Sequence, residues 1–130
     1  CGRVCPYLVF FGKVFTFVLN GKAAYPEFLT EPRREKLNSS IAATTAELSA
    51  GETLFWKYCG TCHVVNEGGG GLAPDLAYSS IAGTKDGFLS IVHKGGYLPL
   101  GMPKFGDRLS ETDVEHIRKY ILTKASVQIK

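Results

Sequence analysis

The stretch KYCGTCHVVNEGGGGLAPDL, residues 57–76, constrains this chain more than any other part of the sequence. Two thiols and an imidazole, from Cys59, Cys62 and His63, occupy five consecutive positions, and four consecutive glycines and a proline follow them. Thiols and imidazoles bind metals and react with electrophiles. Their close spacing here indicates a chemical role beyond hydrophobic packing. The glycine-rich run over 63–75 favours a loop and not a helix or a strand.

The motif C-x-x-C-H, Cys59-Gly60-Thr61-Cys62-His63, is typical of covalent haem attachment. Each thiol can add to one vinyl group of a haem, and His63 can then serve as an axial ligand of the iron. A zinc site requires two further ligands at suitable spacing, and the sequence contains no second C-x-x-C. A thioredoxin-like redox pair is typical of a βαβ context, which the sequence does not predict. We therefore expect one haem c, attached through Cys59 and Cys62.

The second axial ligand is expected from Met102, the single methionine of the chain, which lies between Gly101 and Pro103. A lone methionine can also serve only to fill a core. Glycine and proline favour a non-helical turn, however, and such a turn can direct a thioether at a metal. We interpret His93 and His116, which belong to two different predicted helices, as surface residues.

The apolar periodicity predicts a first helix that begins near residue 46 and runs into the cysteine motif. Thr44 or Thr45 is expected to cap it, with Glu47 in its first turn. One face of this helix is predicted to carry a small residue, aromatic rings and both thiols, from Leu48, Gly51, Phe55, Tyr58, Cys59 and Cys62.

Two further helices are predicted, over 85–96 and after Ser110, with an irregular segment over 97–109 between them. Ser110 and Asp113 form a pair that resembles a capping box, with Asp in place of Glu. The buried stripe of the last helix is expected to consist of Val114, Ile117 and Ile121, with Tyr120 beside it.

The chain is predicted to contain a strand-like extension over 1–24, a linker over 25–45 and one domain over 46–130. The extension is rich in valine and phenylalanine over 7–19 and leads to an Asn-Gly turn signal. The apolar run over 4–19 is interrupted and is shorter than the roughly 20 residues that a membrane-spanning helix requires.

The motif C-x-x-C-H, the run GGGGLAPDL, the turn GMPKF and the final amphipathic helix together resemble a class I cytochrome c domain over residues 46–124. This resemblance implies an all-α fold of three to five helices around a covalently bound haem. In that family the first and last helices cross near a glycine and two aromatic residues. The matching positions here are Gly51, Phe55 and Tyr120.

The same resemblance implies a hydrogen bond from the imidazole of the proximal histidine to the carbonyl of the proline after the motif. The matching residues are His63 and Pro74. Such a bond fixes the tautomer of the ring and strengthens it as a ligand. Pro74 therefore joins the two cysteines as an expected cofactor-binding residue, and His63 and Met102 are the expected metal ligands.

A narrower resemblance links CHVVNEGGGGLAPDL, FLSIVHKGG and GMPKFGDRLSETDVEHIRKYI to the C-terminal cytochrome domain of quinohaemoprotein (PQQ-dependent) alcohol dehydrogenases. The segment LVFFGKVFTFVLNGKAAYPEF resembles their last propeller strand and the start of the linker. This resemblance implies an electron-transfer domain without catalytic residues or a PQQ site of its own. Its donor would be a PQQ dehydrogenase domain or subunit, and its acceptor a downstream cytochrome or oxidase. The alternatives are a free-standing periplasmic carrier that serves another oxidoreductase, and a haem enzyme or sensor.

Haem attachment through thioethers implies, in this family, a periplasmic or otherwise exported protein. In such an oxidising compartment Cys1 and Cys5 can form a disulfide or stay free, or Cys1 can carry a lipid, which would place the chain at a membrane. The formal net charge of +3, without a run of basic residues, argues against nucleic acid as a partner.

Overall fold

The fold is taken from a computed structural model of the chain. The structure describes residues 36–37, 41–65 and 72–127. The chain divides into two units, Cys1–Glu31 and Pro32–Lys130, and all the described residues lie in the second. The predicted strand-like extension over 1–24, its two cysteines and the glycines at 68–71 lie outside the described residues.

The described part of the chain is helical and contains no β-strand, which confirms the predicted all-α class. It has three α-helices: α1 (Thr45–Tyr58), α2 (Lys85–Val92) and α3 (Glu111–Ser126). Three single turns of 3₁₀-helix connect them: Leu76–Tyr78, Ser80–Gly83 and Leu98–Leu100. Within the same residues, no helix has the length and hydropathy that crossing a membrane would require.

Helix α1 begins at the predicted position because Thr44 and Glu47 form a capping box. The backbone N–H of Glu47 donates to Oγ1 of Thr44, and the backbone N–H of Thr44 donates to the Glu47 carboxylate at 2.8 Å. Two backbone donors of the first turn are thereby satisfied without help from the rest of the helix.

Helix α1 ends at Tyr58, and the prediction that one helical face carries both thiols is wrong. The N–H groups of Cys59 and Gly60 both donate to the carbonyl of Phe55, at 2.8 and 2.9 Å. A second donor five residues beyond its acceptor departs from the regular α-helical pattern, and the helix ends there. Cys59 therefore lies buried at the cap, whereas Cys62 lies past the end of the helix and is exposed.

Helix α2 is shorter than the predicted 85–96, since it ends at Val92 and is followed by a turn. Gly95 adopts a φ of +82°, a left-handed conformation that glycine reaches without a steric penalty. The predicted capping box of α3 is present: Ser110 accepts from the backbone N–H of Asp113, whose carboxylate accepts from that of Ser110. The three residues of the predicted stripe of α3, and Tyr120 beside it, are buried.

Helices α1 and α3 cross at Gly51, as predicted. A Cβ atom on Gly51 would overlap the backbone carbonyl of His116 and would lie 3.0 Å from Cβ of Tyr120. Beside this contact the rings of Phe55 and Tyr120 pack with their centroids 5.4 Å apart. A residue without a side chain thus lets the two backbones approach, and the aromatic rings fill the space next to them.

An ion pair also joins the two crossing helices. Nζ of Lys119 in α3 donates to Oε1 of Glu47 at 2.6 Å, and both side chains are largely shielded from solvent. This hydrogen bond, followed by those from the backbone and side chain of Thr44, lowers the pKa of Glu47 from its usual 4.5 to about 2. The folded protein therefore favours the charged form of this carboxyl group more than the unfolded chain does.

We expect this ion pair to make stability depend on pH in the acid range. Because the pKa of Glu47 is lowered on folding, its contribution is complete above pH 4.5 and is lost as the pH falls from 4.5 towards 2. The Tm of wild type should therefore fall more steeply over this range than the Tm of Glu47→Gln. Glu111→Gln, a matched change at an exposed position in the first turn of α3, should keep the wild-type slope. Equal slopes for Glu47→Gln and wild type would contradict the assignment.

The core lies between α3 and the remaining elements, and it contains one charged residue, Arg118, among the described residues. The guanidinium of Arg118 donates twice to the carboxylate of Glu115, at 2.9 and 2.8 Å, and once to the carbonyl of Ala82 at 3.1 Å. The hydrogen bonds from Arg118 hold the pKa of Glu115 below its usual value. Arg118 thus attaches the 3₁₀ turn at Ser80–Gly83 to α3, with its buried charge paired.

Candidate haem site

The two thiols of the motif stand in different environments at the end of α1. Cys59 is buried and packs within the hydrophobic core, whereas Cys62 is exposed, and neither is in a disulfide. Burial, and secondly the neighbouring Cys62, raise the pKa of Cys59 to about 12. Redox-active cysteines have a lowered pKa, because the thiolate is the reactive form. The surroundings of Cys59 favour an uncharged sulfur, as in a thiol or a thioether.

The imidazole of His63 is oriented by a hydrogen bond to the backbone. Its Nδ1 lies 2.9 Å from the carbonyl oxygen of Pro74. Because a carbonyl oxygen only accepts, Nδ1 carries the hydrogen and donates it. The lone pair of the neutral ring then lies on Nε2, the atom that can ligate a metal.

Pro74 is held beside the motif by a pair of backbone hydrogen bonds. On one side the N–H of Ala73 donates to the carbonyl of Cys62 at 2.9 Å, and on the other the N–H of Leu76 donates to Val64 at 2.9 Å. The chain on both sides of Pro74 is therefore tied to the segment that carries the imidazole. Periodicity and motif spacing do not indicate these two bonds, because they join residues across the glycine-rich loop.

Met102 is half-buried and packs against the hydrophobic core. The 3₁₀ turn Leu98–Leu100 precedes it and ends at Gly101, whose φ is +92°. The N–H of Met102 donates to the carbonyl of Tyr97 at 3.2 Å, so the turn is closed directly at the methionine. The predicted non-helical turn around Met102 is thus present, with the left-handed residue at Gly101.

An aromatic contact brings the cysteine segment and the methionine segment together. Tyr58 is the last residue of α1, immediately before Cys59, and Phe105 follows Met102 by three positions. Their rings pack edge to face, with centroids 6.1 Å apart and planes at 70°. Helical periodicity does not predict this pair, although Tyr58 adjoins the motif C-x-x-C-H and Phe105 lies in the turn GMPKF.

These residues fit a covalently bound haem. They provide an uncharged buried sulfur and a second accessible one, an imidazole whose Nδ1 is engaged, and a thioether on the same apolar core. Across 36–37, 41–65 and 72–127, no group of three or more His, Cys, Asp or Glu side chains is arranged to hold a metal ion. The roles of Cys59, Cys62, His63, Pro74 and Met102 toward a haem stay predictions.

The chain is similar to parts of several larger enzymes. It is 36% identical over 113 residues to quinohemoprotein alcohol dehydrogenase ADH IIB of Pseudomonas putida, a match that covers 86% of this chain and 16% of that protein. It is 38% identical over 116 residues to 1-butanol dehydrogenase (cytochrome c) of Thauera butanivorans, with 88% of this chain and 16% of that protein covered. The chain thus spans 16% of the length of these curated relatives.

A solved structure and a family model agree with these similarities. The fold matches the quinohemoprotein alcohol dehydrogenase ADHIIG of Pseudomonas putida HK5 with a TM-score of 0.62 and 32% identity, over 74% of this chain and 14% of that one. Residues 46–121, more than half of the chain, match the family model described as cytochrome C oxidase, cbb3-type, subunit III. The resemblance drawn from the motifs is confirmed. The chain therefore belongs to this family and is a cytochrome c domain.

Proposed function

We propose that this chain carries out one-electron transfer through a single covalently bound haem c, attached at Cys59 and Cys62 and ligated by His63 and Met102. The observation that carries the proposal is the 2.9 Å hydrogen bond from Nδ1 of His63 to Pro74, because it turns a motif histidine into an oriented ligand with its lone pair on Nε2. When bound, the haem supplies a reversible one-electron iron couple, whose potential a methionine ligand raises.

The protein's own residues hold and shield this group. The thioethers from the motif prevent its loss, the Pro74 carbonyl orients the imidazole and increases its basicity, and the apolar core excludes water from one side. With both His63 and Met102 bound to the iron, no coordination position would be left for a substrate. The chain is therefore proposed to be an electron-transfer domain without catalytic residues of its own.

The proposed electron donor is a PQQ-dependent alcohol dehydrogenase domain or subunit. Support comes from the relatives of this chain. Two of them are named as a quinohemoprotein alcohol dehydrogenase and a 1-butanol dehydrogenase (cytochrome c). The proposal places the PQQ site outside these 130 residues and assigns a downstream cytochrome or an oxidase as the acceptor. It also places the protein in the periplasm or another exported location, where the attachment of haem to C-x-x-C-H is completed in this family.

The donor can be tested by mixing the oxidised holoprotein with a PQQ-dependent alcohol dehydrogenase that has no cytochrome domain. We expect the spectrum of the reduced haem to develop when a primary alcohol is added, and to stay absent without alcohol or without the dehydrogenase. Ascorbate serves as the control that the haem is reducible. Reduction by ascorbate, but none by dehydrogenase and alcohol together, would contradict the proposed donor and leave the one-electron function intact.

A further inference from the structure

The segment that carries Met102 is anchored to the C-terminal end of α2 by two backbone hydrogen bonds. The N–H of Phe105 donates to the carbonyl of Val92 at 2.9 Å, and the N–H of Gly106 donates to the carbonyl of His93 at 3.1 Å. Val92 is the last residue of α2 and His93 is its cap. The last carbonyls of a helix have no partner within the helix, so they can accept from a neighbouring segment.

The second of these bonds requires a close approach of two backbones at Gly106. A Cβ atom at this position would overlap the carbonyl oxygen of His93 and would lie 3.1 Å from Nδ1 and Cε1 of the His93 ring. The overlapping atom belongs to the backbone, and it therefore cannot rotate away as a side chain could. Any larger residue at 106 must displace the segment from α2.

The backbone just before Met102 is packed less closely than the backbone at Gly106. Among the described residues, no heavy atom would lie within 4 Å of a Cβ atom on Gly101, so the close packing at Gly106 has no counterpart there. Its hydrogen bonds there, from Gly101 to Leu98 and from Met102 to Tyr97, are internal to the segment. They fix its shape but do not attach it to the core. The segment is attached by the α2 carbonyls, by the packing of Met102 on the core and of Phe105 on Tyr58, and by the close approach of Lys104 to Gly95.

We propose that Gly106 is a positioning residue for Met102: the close contact between Gly106 and His93 sets how firmly the thioether is held in place. The inference rests on the proposed function, in which Met102 ligates the iron. Gly106 acts through the backbone of residues 103–105.

The test is Gly106→Ala in the full-length holoprotein. The weak far-red band of the sulfur–iron bond should decrease. The fraction of reduced protein that binds carbon monoxide should rise roughly tenfold, a change whose free-energy equivalent lies within the usual cost of overpacking a tight contact. The helical content in far-UV circular dichroism should stay that of wild type. Gly83→Ala is the matched control, because among the described residues a Cβ atom there would have only Leu37 Cδ2 within 4 Å, at 3.8 Å. It should change neither spectral property.

Equal carbon monoxide binding and an undiminished band in Gly106→Ala and Gly83→Ala would overturn the proposal. Hydrogen exchange of the wild-type holoprotein gives a second measurement, which does not depend on the variant's folding. The amides of Phe105 and Gly106 should be protected, and exchange at the rates of an unstructured peptide would also overturn the proposal. Met102→Ala distinguishes the ligand role of Met102 from the positioning role of Gly106. If that variant loses the band while Gly106→Ala keeps it, the ligand assignment stands and only the positioning role fails.

Discussion

Replacing Met102 by alanine is expected to abolish the weak far-red absorption band of the sulfur–iron bond and to make the reduced protein bind carbon monoxide. The reason is that alanine removes the thioether and leaves an axial position that solvent or a diatomic gas can reach. The reduction potential should also fall, because a methionine ligand stabilises the reduced iron. Visible spectroscopy with and without carbon monoxide, together with a redox titration, measures these effects.

Met102→Leu is the control that separates ligation from packing. Leucine has nearly the volume of methionine and costs little in an apolar site, but it has no sulfur. The leucine variant should lose the far-red band as completely as the alanine variant while keeping more of the wild-type stability. A far-red band that persists in either variant would show that Met102 is not the ligand. Failure of the reduced alanine variant to bind carbon monoxide would favour a different distal group.

Replacing Gly51 by valine is expected to lower the free energy of unfolding by about 3 kcal/mol, at the upper end of the usual cost of overpacking. The first added carbon would overlap the backbone carbonyl of His116, which cannot move without shifting α3. For a domain of this size the Tm should fall by roughly 10 °C or more. Thermal and urea unfolding of the holoprotein, followed by circular dichroism, measure the change.

Gly83→Val provides the comparison for this variant, since the site is exposed and its nearest neighbour is a side-chain atom at 3.8 Å. It should stay within a few degrees of wild type. Haem should still be attached in Gly51→Val, because attachment requires the Cys59, Cys62 and His63 segment and not the helix crossing. A Gly51→Val protein that melts with wild type would contradict the close approach of α1 and α3.

The helix crossing and the candidate haem site are connected through Phe55. Its ring packs on Tyr120 of α3, and its carbonyl accepts the two N–H groups, from Cys59 and Gly60, that end α1. The same residue thus contacts the crossing and fixes where the cysteine motif leaves the helix. We therefore expect Gly51→Val to change the haem spectrum as well as to lower the stability, because a shift of α1 at Gly51 would also move the end of α1, where the cysteine motif begins.

Several features of the chain could be predicted from the sequence because short-range chemistry determines them. The two capping boxes depend on a hydroxyl and a carboxylate three residues apart, at Thr44 with Glu47 and at Ser110 with Asp113. The buried stripe of α3 follows from helical periodicity. The crossing at Gly51 was assigned through the family resemblance, and the chemistry of glycine explains it afterwards.

The end of α1 could not be predicted from periodicity, because the apolar pattern continues through Cys59 and Cys62. The backbone bonds from Cys59 and Gly60 to Phe55 decided that one thiol is buried and the other exposed. The burial of Arg118 was missed for a related reason. A sequence gives its charge but not the carbonyl of Ala82, which it meets across the fold.

The sequence by itself predicts which groups would bind a haem, since C-x-x-C-H and a methionine between glycine and proline have the required chemistry locally. Only the tertiary structure decided how these groups are held. The ring contact of Tyr58 with Phe105, the bonds on both sides of Pro74 and the approach of Gly106 to His93 all join residues far apart in the chain. Their partners are chosen by how α1, α2 and α3 pack, and packing is a property of the whole chain that no local pattern specifies.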